Sequence, residues 1–358
     1  MIHAAFYAPM KPPTHPTPSG DREMARALIA ALQNAGIQTD LASELPSRDG
    51  RGNPQVQKDI RKAAALEIDR LVAARNSSKW RIWVSYHNYY KAPDLIGPVV
   101  SKALGIPYFL IESTRARKRL SGPWADFASA AEVATDAAHT VFYLTQRDAE
   151  ALRDRRPAHQ KLVHLAPFLP QEALPNETDR TGSILSVGMF RAGDKLASYR
   201  LVAETLKLLT SQGWHLDIAG DGATRPEVET LMAPFGDRVR LLGALDRDGL
   251  QQAYQTARIL FWPGVNEAFG MVYLEAQAAG MTVVAQNRPG VCDILAPGAV
   301  YPSSDTGPTA LAARLDFLLS SPKLTTHLGE SARQYVERNH LMPSASATLR
   351  HSIEGALA

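Results

Sequence analysis

Residues 261–285, FWPGVNEAFGMVYLEAQAAGMTVVA, hold the side chains whose types and spacing best suit chemistry. A strand pattern ends at Trp262, a Pro263-Gly264 turn follows, and a helix is predicted over about Gly270–Ala279, beginning close to Phe269. Glu267 falls in the loop at the helix N-terminus, with Glu275 about two turns further on. Were every step between them helical, the rise would be about 12 Å. That separation suits two hydroxyl-rich groups at opposite ends of one ligand. Backbone N–H groups from Ala268 to Met271, those of Phe269 and Gly270 among them, are left over by the helix and make an anion site. Carboxylates for sugar hydroxyls beside amides for phosphate point to a nucleotide-sugar. A plainer reading stays open, in which Glu267 only favours a helix N-terminus and Glu275 is a solvated helix residue.

Such residues need a framework to hold them. Strand patterns at Ile2–Ala8, Thr39–Ala42, Arg81–Ser85, Tyr108–Ile111 and Val141–Leu144 are interleaved with helical ones. The first loop carries prolines at 9, 12, 13, 16 and 18, and Ser19-Gly20-Asp21 then opens a helix running through Asn34. Helices are also predicted over 56–75 and from about Pro93 to Leu104. Residues 166–182 hold three prolines among polar residues and read as a linker. Beyond it the alternation restarts with a strand at 183–187 and a helix from about Ser198 to Gln212, and continues to a helix ending at Leu319. Alternating strands and ten-residue helices predict α/β architecture: two doubly wound, Rossmann-like domains with parallel sheets, facing across a cleft and binding ligands at strand C-terminal ends.

Bulk properties agree and narrow the classes. At 358 residues the chain is long enough for roughly two domains. Its 39 Lys and Arg against 36 Asp and Glu leave a net charge of +3, too small an excess for a dedicated nucleic-acid binder. The single cysteine, Cys292, rules out an intramolecular disulfide and a multi-thiolate zinc site. The opening MIHAAFYAPMKPP lacks the features of a signal peptide, and no apolar run is long enough to span a membrane. A cytoplasmic enzyme is the expectation, with association at a membrane surface left open.

The pattern Pro263-x-x-x-Glu267-x-Phe269-Gly270-x-x-x-Leu274-Glu275-Ala276, continuing through Gly280 to Val283-Val284-Ala285, resembles the Glu-x7-Glu signature of retaining GT-B glycosyltransferases, most closely their family 4. The following RPGVCDIL is similar to that family's Gly-Gly-x-x-Glu segment, with Gly290 kept and Asp293 where Glu is usual. The resemblance implies that Glu275 holds the ribose hydroxyls of the donor and that Glu267 contacts the donor sugar. The amides of Phe269, Gly270 and Met271 would then meet sugar and phosphate. The family's Gly-Arg-(x)5-Lys-Gly clamp is matched at Gly188 and Lys195, but Met189 stands at the Arg position and Leu196 at the last Gly. Arg191 is the cation that could substitute, or else a solvated loop residue. Ile218-Ala219-Gly220-Asp221-Gly222 is similar to the family's Gly-x-Gly segment near the nucleotide, though a turn without ligand fits as well.

By the same resemblance, Gly20 and Asp21 stand where the family's first loop meets donor phosphates and acceptor; Asp21 as a plain helix-start residue stays open. His87, in SYHNYY past a strand end, is a candidate catalytic residue. Glu112-Ser113-Thr114 replaces the family's usual Thr-x-His. Arg115, Arg117, Lys118 and Arg119 read either as a solvated face or as contacts to an anionic acceptor or membrane, joined by Lys58, Arg61, Lys62, Arg70 and Arg75. Asp246-Arg247-Asp248 is read as a helix N-cap, and neither metal nor cofactor is expected. The implied protein has an acceptor domain over 1–170, a donor domain over 171–335, and a C-terminal segment, 336–358, returning to the first. It would transfer a sugar from a nucleotide diphosphate sugar to a saccharide, lipid-linked or other hydroxyl acceptor, with retention. The rivals are a nucleotide-sugar epimerase and a GT-B protein that binds without turnover.

Overall fold

Ala4–Tyr7 and Tyr108–Ile111 are apolar at consecutive positions rather than alternating, the pattern of strands covered on both faces, and all eight residues are buried. Such strands need helical crossovers. In the computed structural model the order is β1 (Ile2–Tyr7), α1 (Gly20–Asn34), β2 (Ile37–Ser43), α2 (Pro54–Ala73), β3 (Ile82–Asn88), α3 (Gly97–Leu104), β4 (Tyr108–Ser113), α4 (Ala125–Ala137), β5 (Thr140–Tyr143), α5 (Gln146–Arg153) and β6 (Lys161–His164). It continues β7 (Ile184–Val187), α6 (Asp194–Lys207), β8 (Leu216–Ala219), α7 (Arg225–Met232), β9 (Val239–Gly243), α8 (Arg247–Thr256), β10 (Ile259–Phe261), α9 (Met271–Ala278), β11 (Thr282–Val284), α10 (Gly307–Leu319), α11 (Pro322–Asn339) and α12 (Met342–Leu357). The structure describes all residues except Pro18, Asp179, Thr181 and Ser183, together with the side chain of Arg75. A loop proline, the first residue of the predicted strand 183–187 and one predicted surface cation therefore lie outside the described residues.

The chain divides into two units, Met1–Ala166 with Met342–Ala358, and Pro167–Leu341. In the first, a six-stranded parallel sheet has the order β2-β1-β3-β4-β5-β6. In the second, a five-stranded parallel sheet runs β11-β10-β7-β8-β9. Each has one place where successive crossovers leave in opposite directions, between β1 and β3 and between β7 and β10. Ligands in open α/β sheets bind outside the strand carboxyl ends at such points. Both groups of candidate residues described below lie there.

Three differences from the sequence expectation have local causes. Gly193, at φ 83°, turns the chain directly into α6, which therefore starts at Asp194 and not near Ser198. Lys195 is thereby a first-turn helix residue. Asp94 Oδ1 accepts the amides of Ile96 and Gly97, at 2.9 and 2.7 Å, and delays α3 past Pro93. The first unit ends at Ala166 because Leu169 already pairs with Leu341, its amide donating to the His340 carbonyl at 2.8 Å. The helical C-terminus is two helices: α11 lies on α9 and β11, and α12 on α1. Among the described residues no helix is long and apolar enough to cross a membrane.

Leu349 and Ile353 are fully buried on α12. Leu349→Ala is expected to lower the unfolding free energy by about 2–5 kcal/mol, the range for a leucine cavity, as read by denaturant titration.

Candidate functional site

Trp262 directly follows β10 with no exposed surface, and an indole N–H placed there needs an acceptor. Glu267 Oε1 accepts it at 3.0 Å and also pairs with Lys195 Nζ, which sits 5.4 Å from the centre of the Trp262 ring. The ammonium and the carboxylate are 17% and 14% exposed, so the pair is screened less than a surface one yet still open to a ligand. Asn266 Nδ2 donates to Asp194 Oδ1 at 2.9 Å, and the Val265 amide donates to Ser198 Oγ at 3.1 Å, tying the loop to the start of α6. Two helix N-termini thus meet around one cation and one carboxylate.

Gly270 precedes α9 at φ 77°, a backbone that side chains rarely adopt. Among the described residues, no acceptor takes the amides of Ala268, Phe269, Gly270 or Met271. They are the four free donors that an anion at this end would meet. Gly188 and Gly220 are needed for space. A Cβ on Gly188 would stand 2.8 Å from the Trp262 ring, and one on Gly220 would stand 1.9 Å from the Gly188 carbonyl oxygen. Gly290 likewise backs the loop, where a Cβ would be 1.8 Å from the Ala268 carbonyl oxygen.

Glu275 lies one turn into α9, since that helix begins at Met271, and the fully helical spacing from Glu267 does not hold. Glu275 faces a cavity of 130 Å³ with Tyr254, Leu250 and Ala278 in its wall. Burial pushes its carboxyl up, opposed by the Tyr254 hydroxyl, which donates to Oε2 at 2.7 Å. It is therefore not a solvated helix residue. Asp221 is turned to Arg225 at 2.9 Å and to the Gly222 amide at 2.7 Å, as a turn residue would be. Met189 is 57% exposed, Arg191 is exposed, and Arg191 makes no ion pair among the described residues.

The second group belongs to the first unit. Ser19 caps α1 by accepting the Arg22 amide at 3.3 Å, which places Gly20 and Asp21 in the opening turn at the β1 end. Asp21 Oδ1 meets His87 Nδ1 at 3.0 Å. His87 and Glu112 are neighbours across β3 and β4, and both non-glycine residues sit at positive φ, 66° and 59°. Backbone of this kind is strained and persists where surroundings over-determine it. Here Asn88 does so, donating to Ser113 Oγ, the Ala131 carbonyl and Thr135 Oγ1 at 2.9, 3.0 and 3.1 Å. Burial draws the His87 pKa down, but the Glu112 and Asp21 carboxylates outweigh it and hold it above the ordinary value. The hydrogen bond from His87 in turn holds the Asp21 carboxyl low. Burial raises Glu112, against the pull of His87.

Sequence reasoning missed Trp262, Tyr254 and Glu112, whose roles arise only from contacts across elements. The basic run at 115–119 is split: Arg115 is 3% exposed and paired with Glu132 and Asp136, so it is no part of an open cationic face. Arg61 and Arg70 are paired with Asp126 and Glu67. Asp246 accepts the Gly249 amide at 2.8 Å as the N-cap of α8. Among the described residues no cluster of His, Cys, Asp or Glu has metal-holding geometry.

Sheet order defines a doubly wound α/β protein, and comparison with known proteins sharpens that class. Residues 176–335 match the family model described as Glycosyl transferases group 1. D-inositol 3-phosphate glycosyltransferase of Streptomyces bingchenggensis is 33% identical over 141 residues, 36% of this chain but only 30% of its own length. The chain thus spans less than a third of that relative. Sucrose-phosphate synthase of Thermosynechococcus elongatus superposes with a TM-score of 0.72 at 16% identity, over 100% of this chain and 99% of its own. Anabaena HepE, solved in complex with UDP, gives 0.72 at 14%, over 99% and 100%. The chain has the GT-B fold, and most of its second unit is matched by the glycosyl transferases group 1 model.

Two outcomes follow from this geometry. Gly220→Ala should cost about 1–3 kcal/mol in stability, since backbone must move to admit the methyl, as seen by denaturant titration. The raised His87 pKa contributes stability that is complete below its unfolded value of about 6.5 and is lost as pH rises through the folded value. Melting temperatures across that window should therefore converge between wild type and His87→Gln as pH rises; a constant gap would refute the coupling.

Proposed function

We propose that the protein transfers a sugar from a nucleotide diphosphate sugar to an acceptor hydroxyl, retaining the anomeric configuration. The observation that carries this is the meeting of Lys195, Glu267 and the free amides of α9 at the β7–β10 switch point, inside the stretch matched to the glycosyl transferases group 1. The relative HepE, described in complex with UDP, favours a uridine-type diphosphate donor. In this reading Glu275, oriented by Tyr254, accepts the ribose hydroxyls, and Glu267 accepts a hydroxyl of the donor sugar. Lys195 has three N–H donors; one is held by Glu267, and the others serve the β-phosphate. The Phe269–Met271 amides serve the same phosphate.

The reaction breaks the bond from the anomeric carbon to the phosphate oxygen and forms one to the acceptor oxygen on the same face. The acceptor's proton passes to the departing phosphate oxygen, so no carboxylate nucleophile is called for. Charge grows on the phosphate as the bond breaks, and preorganised donors there stabilise the transition state more than the ground state. His87, beside Asp21 and Glu112 in the first unit, is assigned to the acceptor side. No resident metal or cofactor enters this scheme.

Lys195→Ala should lower turnover about 10²-fold or more, the scale for losing one oxyanion donor. Glu275→Gln should weaken donor binding, measured by calorimetry after a thermal-shift screen of UDP-, GDP- and ADP-sugars. Unchanged turnover and affinity in both variants would sink the assignment. Exposed Met189, at the family's Arg position, favours as second reading a protein that binds donor without turnover; donor binding with neither transfer nor hydrolysis is its signature.

A further inference from the structure

Beyond His87 the first unit carries a continuous row of rings. His87 stands 5.0 Å from Tyr89, Tyr89 5.4 Å from Tyr90, and Tyr90 5.7 Å from Trp124, measured between ring centres. All four are half-buried. The turn after β3 presents Tyr89, Tyr90 and Lys91 in succession, closed by the Tyr89–Ala92 bridge. That turn is bound to the 49–53 loop by the Asp49 amide, which donates to the Lys91 carbonyl at 2.8 Å. Trp124 is fixed by its edge: Nε1 donates to the Asp49 carbonyl at 3.2 Å, and Gly52 backs the ring so closely that a Cβ there would lie 3.2 Å from it. The polar edge of the indole is thereby used up, and what is displayed is ring face.

Tyr90 and Trp124 meet at 90° and form a corner. Lys91 Nζ lies 5.6 and 5.4 Å from the two ring centres, and the Arg119 guanidinium lies 5.2 and 5.4 Å from them. Two cations share one corner, and neither forms an ion pair among the described residues. The nearby carboxylate of Asp49 is spent inward on the amides of Arg51, Gly52 and Asn53 and on Gln57. A third cation, Arg48, lies beside the Tyr89 hydroxyl. Aromatic faces attract cations, but two like charges held together also ask for an anion.

We infer that this corner binds the anionic group of a sugar, a phosphate or a carboxylate held by Lys91 and Arg119, with the sugar ring lying along Tyr90 and Tyr89 toward His87. The polarised C–H bonds of a sugar face meet the negative face of an aromatic ring, and the fixed rings lose little entropy on binding. The inference deepens the acceptor side of the proposed function and rests on that reading: the acceptor is a negatively charged saccharide.

The test titrates the full chain with glucose 6-phosphate, glucuronate, glucose and inorganic phosphate, followed by tryptophan fluorescence and ligand-observed NMR. At least one of the two charged sugars should bind about tenfold or more tighter than both glucose and inorganic phosphate, and the tighter of the two tells phosphate from carboxylate. The double variant Lys91→Gln/Arg119→Gln should lose about that factor while UDP binding stays unchanged. Trp124→Phe, which keeps a ring in the corner, should retain most of the affinity. Glucose binding as tightly as the charged sugars would overturn the inference, as would phosphate alone doing so, or an unaffected double variant. Capture by mixed phosphatidylcholine–phosphatidylglycerol vesicles that no charged sugar displaces would overturn it in favour of a membrane surface. The two readings fail separately: UDP binding without charged-sugar binding leaves the glycosyltransferase reading standing, and the reverse leaves only the corner.

Discussion

At the point where β7 and β10 part, the side chain of Trp262 occupies the space that any residue but glycine at 188 would need. Its ring also packs edge-on against Tyr199, whose hydroxyl donates to the Gly188 carbonyl at 2.6 Å. Much of the second unit's site follows from burying that indole. The N–H must be answered, and Glu267 answers it; a largely buried carboxylate must be answered in turn, and Lys195 does so. A cation in the first turn of a helix faces the positive end of the helix dipole and is disfavoured there on its own. The carboxylate offsets this cost, and a phosphate would offset it further. The placing of Lys195 and Glu267 thus traces back to the packing of one tryptophan.

The alternation of strands and helices was legible because strands such as β1 and β4 are apolar over continuous runs and helices such as α1 and α8 open on a polar cap. On α1 the cap is Ser19, within the segment read only as opening the helix, whereas the N-cap of α8 was readable at Asp246, which accepts the Gly249 amide. The start of α6 was not, since nothing local distinguishes Gly193 in a loop from Gly193 as the residue that turns a loop into a helix. Glu267, Glu275, Gly188 and Lys195 were legible as a pattern, whereas Trp262 and Tyr254 were not. An apolar residue at the end of a strand and a tyrosine on a helix are ordinary core residues until the fold brings a carboxylate to each. Arg115 shows the opposite error. In sequence it belongs to a basic run, but its neighbours in space are Glu132 and Asp136 on α4.

The two units use different physics at equivalent places in their sheets. In the second, the candidate site is mostly backbone: free amides at a helix start and glycines that let loops touch. Such a site reads charge and shape and tolerates variation in many side chains around it. In the first, the groups at the switch point are side chains held by other side chains, with the Asn88 network fixing the strand ends beneath them. A backbone site suits a part common to many ligands, such as a diphosphate. A side-chain site suits a part that differs from one ligand to the next.

That contrast explains why strain is found where it is. His87 and Glu112 sit side by side in left-handed backbone, at about 1–3 kcal/mol each by the usual scale for such positions. Glycine at either place would remove the strain but also remove the imidazole or the carboxylate. The strained positions fall at the C-terminal ends of β3 and β4, where Asp21 arrives from α1 to meet His87. The Asp21 and Glu112 carboxyls raise the His87 pKa, and the His87 hydrogen bond lowers that of Asp21, while burial raises that of Glu112. The conformational cost at these two residues is thus paired with a side-chain cluster that glycine could not supply.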